Sequence, residues 1–165
     1  MSHKIIPPYD NENFELHWNY VNFQGKTILD LGADHGSTAS FFFEKGARKV
    51  IAVEGNPDLY HELVVNYGND PDVVCIFLFL DKPLQFEDLI KKSKPDIVKI
   101  DIEGDELHFL GISREVLLMV PAYMIEVHSG TLKDLTVNKL AEAGYDVSVE
   151  YSRPRTEVII GKKQI

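Results

Sequence analysis

The sequence predicts an α/β protein: a parallel sheet of five strands closed by an antiparallel pair, with helices on both faces. Three observations predict it. From Lys26 onward, short apolar runs alternate with segments of helical spacing, and strands separated by helices lie parallel through right-handed crossovers. The runs TILDL (27–31) and KVIAV (49–53) are nearly continuous in apolar character, the pattern of strands buried on both faces. Near the end, YDVSVEY (145–151) is followed by TEVII (156–160) after only Ser152, Arg153, Pro154 and Arg155, which leaves no room for a crossover helix and forces a hairpin.

The elements follow in order. In residues 13–23, NFELHWNYVNF, helical spacing joins Phe14, Trp18 and Val21 and more loosely Leu16 and Tyr20, before the breaker Gly25. This predicts an amphipathic helix within an N-terminal extension over 1–25. Strand 27–31, helix 37–45, strand 49–53, helix 57–67, strand 73–80 and helix 84–92 come next. Strand 96–102, helical segments 105–110 and 113–119, strand 122–127 and helix 132–143 complete the alternation. With 165 residues, 44% of them hydrophobic and 26% charged, and no repeat or long linker, one domain over 1–165 is expected.

The formal net charge is -9, and apart from Lys91, Lys92, Lys94, Lys162 and Lys163 the basic residues are scattered. A polyanion is repelled on average, so a nucleic-acid partner is disfavoured. The single cysteine, Cys75, excludes a disulfide framework within the chain, and its place in the apolar run 73–80 predicts a buried, inert thiol. No run of about eighteen apolar residues occurs, and the first ten residues lack an apolar leader core. A cytoplasmic protein without a membrane partner is expected.

The segment ILDLGADHGS (28–37) carries a strand into a helix, the place where a βα turn wraps a nucleotide-like ligand. A dinucleotide fingerprint needs glycine at its first, third and sixth positions; here these are Gly32, Asp34 and Ser37, so two are missing. The spacing present is Asp30, Gly32 and Gly36, with Ala33, Asp34 and His35 between. A methyl donor of the S-adenosylmethionine type has no pyrophosphate but carries an amino cation, a sulfonium and a ribose. Asp30 suits the amino group, and Gly32 and Gly36 would let the backbone approach. The alternative is a tight turn without a ligand. The second strand ends in Glu54, Gly55 and Asn56, about twenty residues past the glycines, where a carboxylate accepts ribose hydroxyls and repels a 2'-phosphate. Asp81, just past the third run, is placed either to accept from an adenine amino group or to serve a plain turn.

ILDLGADHG with VIAVEGNP resembles motifs I and II of class I S-adenosylmethionine-dependent methyltransferases. KIDIEGDELHFLG (99–111) with PAYMIEVH (121–128) resembles the FkbM-type methyltransferase family. The resemblance implies a Rossmann-like, mostly parallel seven-stranded sheet with a C-terminal antiparallel hairpin. It also implies S-adenosylmethionine as cofactor and O-methyl transfer to varied acceptors. The family pattern K-x-D-x-E-G-x-E falls on Lys99, Asp101, Glu103, Gly104 and Glu106, whereas Asp34 and His35 stand where a neutral pair is more usual.

In an open parallel sheet the ligand crevice lies beyond the carboxyl ends of the strands, where strand order reverses from the first strand to the fourth. Asp30 and Asp101 are expected to face each other across it. Alternation puts Lys99, Asp101 and, if the extension continues, Glu103 on one face, with Lys99 as electrostatic support and a catalytic lysine as the alternative. Gly104 permits a sharp turn, Asp105 reads as an N-cap, and Glu106 as a first-turn charge. Glu126 and His128 share a face of the fifth strand, so Asp101, Glu103, Glu126 and His128 are expected at one rim of the crevice. Either a carboxylate or His128 takes a proton from an acceptor hydroxyl, or the group holds a divalent ion such as Mg or Mn that lowers the acceptor's pKa. The first is preferred because the spacing names no metal. Methyl transfer to an unidentified acceptor is the expected function. A non-catalytic S-adenosylmethionine-binding module, or a subunit of a larger assembly, is the alternative, and a nicotinamide oxidoreductase ranks last.

Overall fold

Parallel strands buried on both faces need apolar residues at every position, and each such run of the sequence forms a strand. The structure, a computed structural model, describes residues 3–9, 12–154 and 156–164. Its elements are α1 (Phe14–Trp18), β1 (Thr27–Leu31), α2 (Ser37–Glu44), β2 (Lys49–Glu54), α3 (Pro57–Tyr67), β3 (Val73–Phe77), α4 (Pro83–Ser93) and β4 (Ile97–Ile100). A 3-10 helix (Glu106–Gly111), α5 (Arg114–Leu117), β5 (Ala122–Val127), α6 (Gly130–Ala143), β6 (Tyr145–Arg153) and β7 (Thr156–Lys163) follow. The strands form one seven-stranded sheet in the order β3-β2-β1-β4-β5-β7-β6. β1 to β5 are parallel, and β7 runs antiparallel to both β5 and β6. The expected hairpin is present, although Arg155 of its turn lies outside the described residues, as do Met1, Ser2 and Asp10 of the leader segment.

Period-two alternation divides the core between the two faces of the sheet. Leu29, Leu31, Val98, Ile100, Tyr123 and Ile125 pack with Phe86, Phe109 and Leu140 on one side. Ile28, Val50, Ala52, Ile97, Met124 and Ile160 pack with Trp18, Phe23, Phe42 and Leu63 on the other. The second face is the one α1 covers, and Trp18 is 1% exposed there.

Four expectations are corrected. The N-terminal helix begins where Asn13 caps it, its side chain accepting from Glu15 N and Leu16 N, but it ends at Trp18 because Asn19 leaves helical geometry. Tyr20 and Val21 still pack against the same cluster. The third strand lies at the sheet's edge and stops at Phe77, where its partner β2 ends at Glu54; Leu78 N donates the last bond, to Glu54 O at 3.0 Å. At that edge Cys75 is half-buried rather than buried. Of the two helical segments after β4, the first is a 3-10 helix and the second, α5, is shorter than expected, spanning Arg114–Leu117. Among the described residues no helix is long and apolar enough to cross a membrane.

β1 and β4 pair in register from Ile28 opposite Ile97 to Leu31 opposite Ile100, and Asp101 N donates to Leu31 O at 3.0 Å. This draws the backbone of Asp101 onto the first residue beyond β1. A Cβ on Gly32, which has φ +81°, would lie 1.8 Å from the Asp101 carbonyl oxygen. Only glycine fits, for both clash and conformation. Gly32→Ala is therefore expected to lower stability by about 2 kcal/mol or more in urea unfolding, with the loss shared by neither Gly25→Ala nor Gly104→Ala beyond their own backbone strain.

Candidate functional site

A crevice of about 780 Å³ opens beyond the carboxyl ends of β1, β2 and β4, at the switch point of the strand order. Gly32 and Asp34 after β1, Glu54 and Asn56 after β2, and Asp101 and Glu103 after β4 line it, and Pro8 and Tyr9 of the N-terminal segment close one side.

Its β1–β2 half is organised by Glu54, which is 8% exposed. Its Oε2 accepts from Asp34 N at 2.9 Å and its Oε1 from Asn56 N at 2.7 Å, so one carboxylate ties both turns while each oxygen keeps a free lone pair. Asn56 caps α3, accepting from Asp58 N at 2.9 Å and Leu59 N at 3.2 Å. Gly55 lies against Phe79, whose Cα would be 3.0 Å from an added Cβ. Ala33 is buried in the α1-side core.

Several sequence expectations for this half are corrected. Gly36 is required by packing, since an added Cβ would meet the Tyr67 ring at 2.7 Å; the neighbour it makes room for is α3, not a ligand. His35 is not among the crevice-lining residues; its Nδ1 lies 2.7 Å from Asp34 Oδ2 and its Nε2 2.9 Å from Pro7 O, and its ring lies 3.9 Å from that of Tyr9, tilted by 36°. Asp81 lies outside the crevice wall in the turn before α4, its N–H donating to Gln85 Oε1. Leu78, Phe79 and Leu80 form that wall instead.

Asp30 is the largest correction. It is fully buried, its Oδ2 accepting from Thr38 Oγ1 at 2.5 Å and its Oδ1 3.0 Å from Lys99 Nζ. It faces Lys99 within the fold rather than a donor's amino group. Lys99 is 1% exposed, lies over the Trp18 ring at 5.5 Å, and also donates to Gly32 O at 2.6 Å. Burial works against its charge, but the carboxylates of Asp30 and Asp101 outweigh burial and hold the ammonium above its usual pKa. Lys99 is thus the expected electrostatic support, locked too deep to be a nucleophile.

On the β4–β5 side, the structure brings Asp101, Glu126 and His128 together, with ligand-capable atoms within 4.8 Å of one another. Glu103 does not join them. β4 ends at Ile100, and Glu103 takes a left-handed turn conformation, φ 45°, at the crevice mouth. Asp105 makes no side-chain capping bond. Glu106, read from the sequence as a first-turn charge, is fully buried: its Oε2 accepts from Gly104 N at 2.9 Å and its Oε1 lies 2.8 Å from His128 Nδ1. The signal for it was its spacing from Phe109, three residues on, the other buried residue of the 3-10 helix. Sequence reasoning also passed over His17, Arg153 and Phe79.

Glu126 is 2% exposed and has four polar neighbours: His17 Nε2 at 3.6 Å, Arg153 at 3.3 Å, His128 Nε2 at 3.8 Å, and Asp101 within the cluster. Burial first, and the Asp101 carboxylate second, push its carboxyl up to about 7. The hydrogen bond that His128 Nδ1 donates to Glu106 holds the imidazole up at about 9. Burial lowers His17 to about 4. A pKa held at about 9 favours the protonated imidazole at neutral pH over the neutral-imidazole base expected of His128.

The trio does not fit Mg or Mn well. Lys99 Nζ lies 3.9 Å from Asp101 Oδ2, Arg153 lies 3.3 Å from Glu126 Oε1, and His128 is itself charged, so the compensating positive charge is already supplied by the chain. Mg in addition calls for a nearly all-oxygen octahedron.

No protein-family model matches the chain. Hexuronic acid methyltransferase AglP of Haloferax volcanii is 24% identical over 171 residues, covering 83% of this chain and 70% of its own. Fibrillarin of Aeropyrum pernix, solved with natively bound S-adenosyl-L-methionine, superposes with a TM-score of 0.65 at 18% identity, over 84% of this chain and 66% of that one. Precorrin-6y C5,15-methyltransferase of Geobacter metallireducens gives 0.62 at 19% identity, over 86% and 81%. At these identities the likeness establishes the fold, that of class I S-adenosylmethionine-dependent methyltransferases.

Removing the Glu106 charge tests the rim's electrostatics. In Glu106→Gln the His128 pKa is expected to fall from about 9 towards the ordinary 6.5, read from imidazole resonances by NMR. A histidine raised on folding stabilises most below its unfolded pKa and loses that contribution as pH rises through about 9. The stability gap between wild type and Glu106→Gln should therefore be widest below pH 6.5 and narrow towards pH 9.

Proposed function

We propose that this chain transfers the methyl group of S-adenosylmethionine to an oxygen of its acceptor, in the manner of the FkbM-type enzymes its motifs resemble, with Glu126 as general base. The observation that carries the reading is the pair of unequal carboxylates at one rim of the switch-point crevice. Glu106 is committed to His128 and Gly104 N, while Glu126 is buried with a pKa of about 7. A carboxylate that burial raises to about 7 is suited to take a proton near neutral pH.

In this reading the donor lies along the β1–β2 half, its ribose hydroxyls donating to Glu54 and its adenine against Phe79. The backbone of Gly32 to Asp34 borders its amino-acid end. The acceptor oxygen attacks the methyl carbon as the carbon–sulfur bond breaks. S-adenosylhomocysteine leaves neutral, the acceptor's proton passes to Glu126, and water later takes it. Alignment of oxygen, carbon and sulfur supplies much of the rate, and a placed base adds about 10²–10⁴. His128, already protonated, donates to the acceptor oxygen from Nε2 while Glu106 fixes the ring through Nδ1.

The curated relative is named for a hexuronic acid, so uronic acid glycosides are the first acceptors to test. A nucleic acid is disfavoured as acceptor by the net charge of -9 and by the carboxylates of Glu12, Asp101, Glu103 and Asp105 along the crevice. The reading as a non-catalytic subunit is favoured by one observation, the exposure of Phe77, Phe79 and Leu84, of which Phe79 lines the crevice.

Transfer of labelled methyl to such acceptors tests the proposal. We expect kcat/KM to rise with pH through about 7, as Glu126 ionises, and to fall above about 9, as His128 loses its proton. Glu126→Gln should lower kcat about 10²–10⁴-fold with donor affinity unchanged. Full activity in that variant, or a flat pH profile, removes Glu126 from the chemistry.

A further inference from the structure

His17 is a buried titratable group that neither the core nor the proposed chemistry uses. It sits in α1, 2% exposed, its ring stacked on Trp18 at 5.3 Å and 19° and against Tyr151 at 4.5 Å. Its Nε2 has no hydrogen-bond partner and points at Glu126 Oε2 from 3.6 Å, beyond hydrogen-bond reach. An orphaned buried polar atom costs about 1–3 kcal/mol unless some state of the protein satisfies it.

A neutral imidazole has one donor and one acceptor nitrogen. Burial and the neighbouring Arg153 keep His17 neutral. The 3.6 Å gap fits two acceptors facing each other without a bond, an ionised carboxylate and an Nε2 lone pair with the proton on Nδ1, because an Nε2–H would be drawn into hydrogen-bond distance. Protonation turns Glu126 Oε2 into a donor, and a closure of about 0.8 Å then makes an ordinary hydrogen bond. We propose that His17 is a positioning residue of the site, its Nε2 accepting a hydrogen bond from Glu126 once Glu126 has taken the acceptor's proton. This rests on the reading of Glu126 as base. It makes α1 a working part of the site, since the docking that buries Trp18 also supports the protonated base.

The other groups that face Glu126 are Asp101 beyond β4, Lys99 within β4, His128 beyond β5 and Arg153 at the end of β6. Asp101 favours its protonated form, and His128, Arg153 and Lys99 favour its ionised form. His17 acts differently, as an uncharged acceptor available only to the protonated form.

The test is the titration of Glu126 in the full chain, read from carbon-13 carboxyl resonances and assigned with Glu126→Gln. His17→Phe keeps the ring stack and removes the nitrogen. It should lower the Glu126 midpoint by about one pH unit, tenfold in basicity, although a more apolar neighbour alone would raise it. His17→Gln, which restores an acceptor oxygen, should recover most of the shift, and the acid limb of the pH–rate profile should move with it. An unchanged or raised midpoint in His17→Phe overturns the inference. If that variant fails to fold, His17→Met, which fills the space without a strong acceptor, is judged by the same criteria. The titration needs no turnover. A chain inactive on every acceptor would sink the methyl-transfer reading and leave this result standing, while a midpoint indifferent to His17 would do the reverse.

Discussion

The buried ion pair of Lys99 and Asp30 is the constraint on which the rest of the site depends. Two charges out of water cost several kcal/mol each, and only close pairing with further hydrogen bonds repays that. Here the repayment comes from four parts of the fold at once. β1 supplies Asp30, β4 supplies Lys99, α2 supplies the Thr38 hydroxyl, and the turn after β1 supplies the Gly32 carbonyl. Trp18 of α1 lies over the ammonium and shields it from solvent. The pair thereby holds together β1 and β4, the parallel strands at which the strand order switches, and this is where the crevice opens.

From that anchor, charged groups follow one another towards the rim. Lys99 is buried and paired at 3.0 Å, Asp101 stands 3.9 Å from it with 28% of its side chain exposed, and beside Asp101 lie the buried Glu126 and the half-buried His128. Glu106 gives its two oxygens to a histidine and a backbone N–H, so its geometry is fixed. Glu126 has only the longer contacts to Arg153, His128 and His17. The same side-chain type therefore carries two different properties at positions twenty residues apart, 106 and 126, through its surroundings alone. The glycines belong to the same economy of space: Gly32 lets β1 and β4 meet at Asp101, and Gly36 lets α2 begin against Tyr67.

Most of the fold was legible in the sequence because its determinants are local. TILDL and KVIAV can only be doubly buried strands, the Pro57 and Pro83 helices start where a proline suits the first turn, and the short link from Arg153 to Thr156 admits only a hairpin. Glu126 and His128 were placed together by the alternation of a single strand, and Glu54 by its distance from the glycine turn. What could not be read depends on where a strand stops or on partners distant in sequence. β4 ends one residue before Asp101, which separates Glu103 from the rim. Asp30 looked available to a ligand because its partner lies 69 residues away at Lys99. His17 meets Glu126 only through the docking of α1 across the sheet, and no pattern within residues 13–23 announces that contact.

The central claim is that this crevice holds a methyl donor rather than a dinucleotide. Calorimetric titration of the full chain with S-adenosylhomocysteine and, separately, with NAD tests it most directly. The account predicts one saturable site for S-adenosylhomocysteine, weakened at least tenfold by Glu54→Ala, and no binding of NAD. Saturable binding of NAD with none of S-adenosylhomocysteine would contradict it.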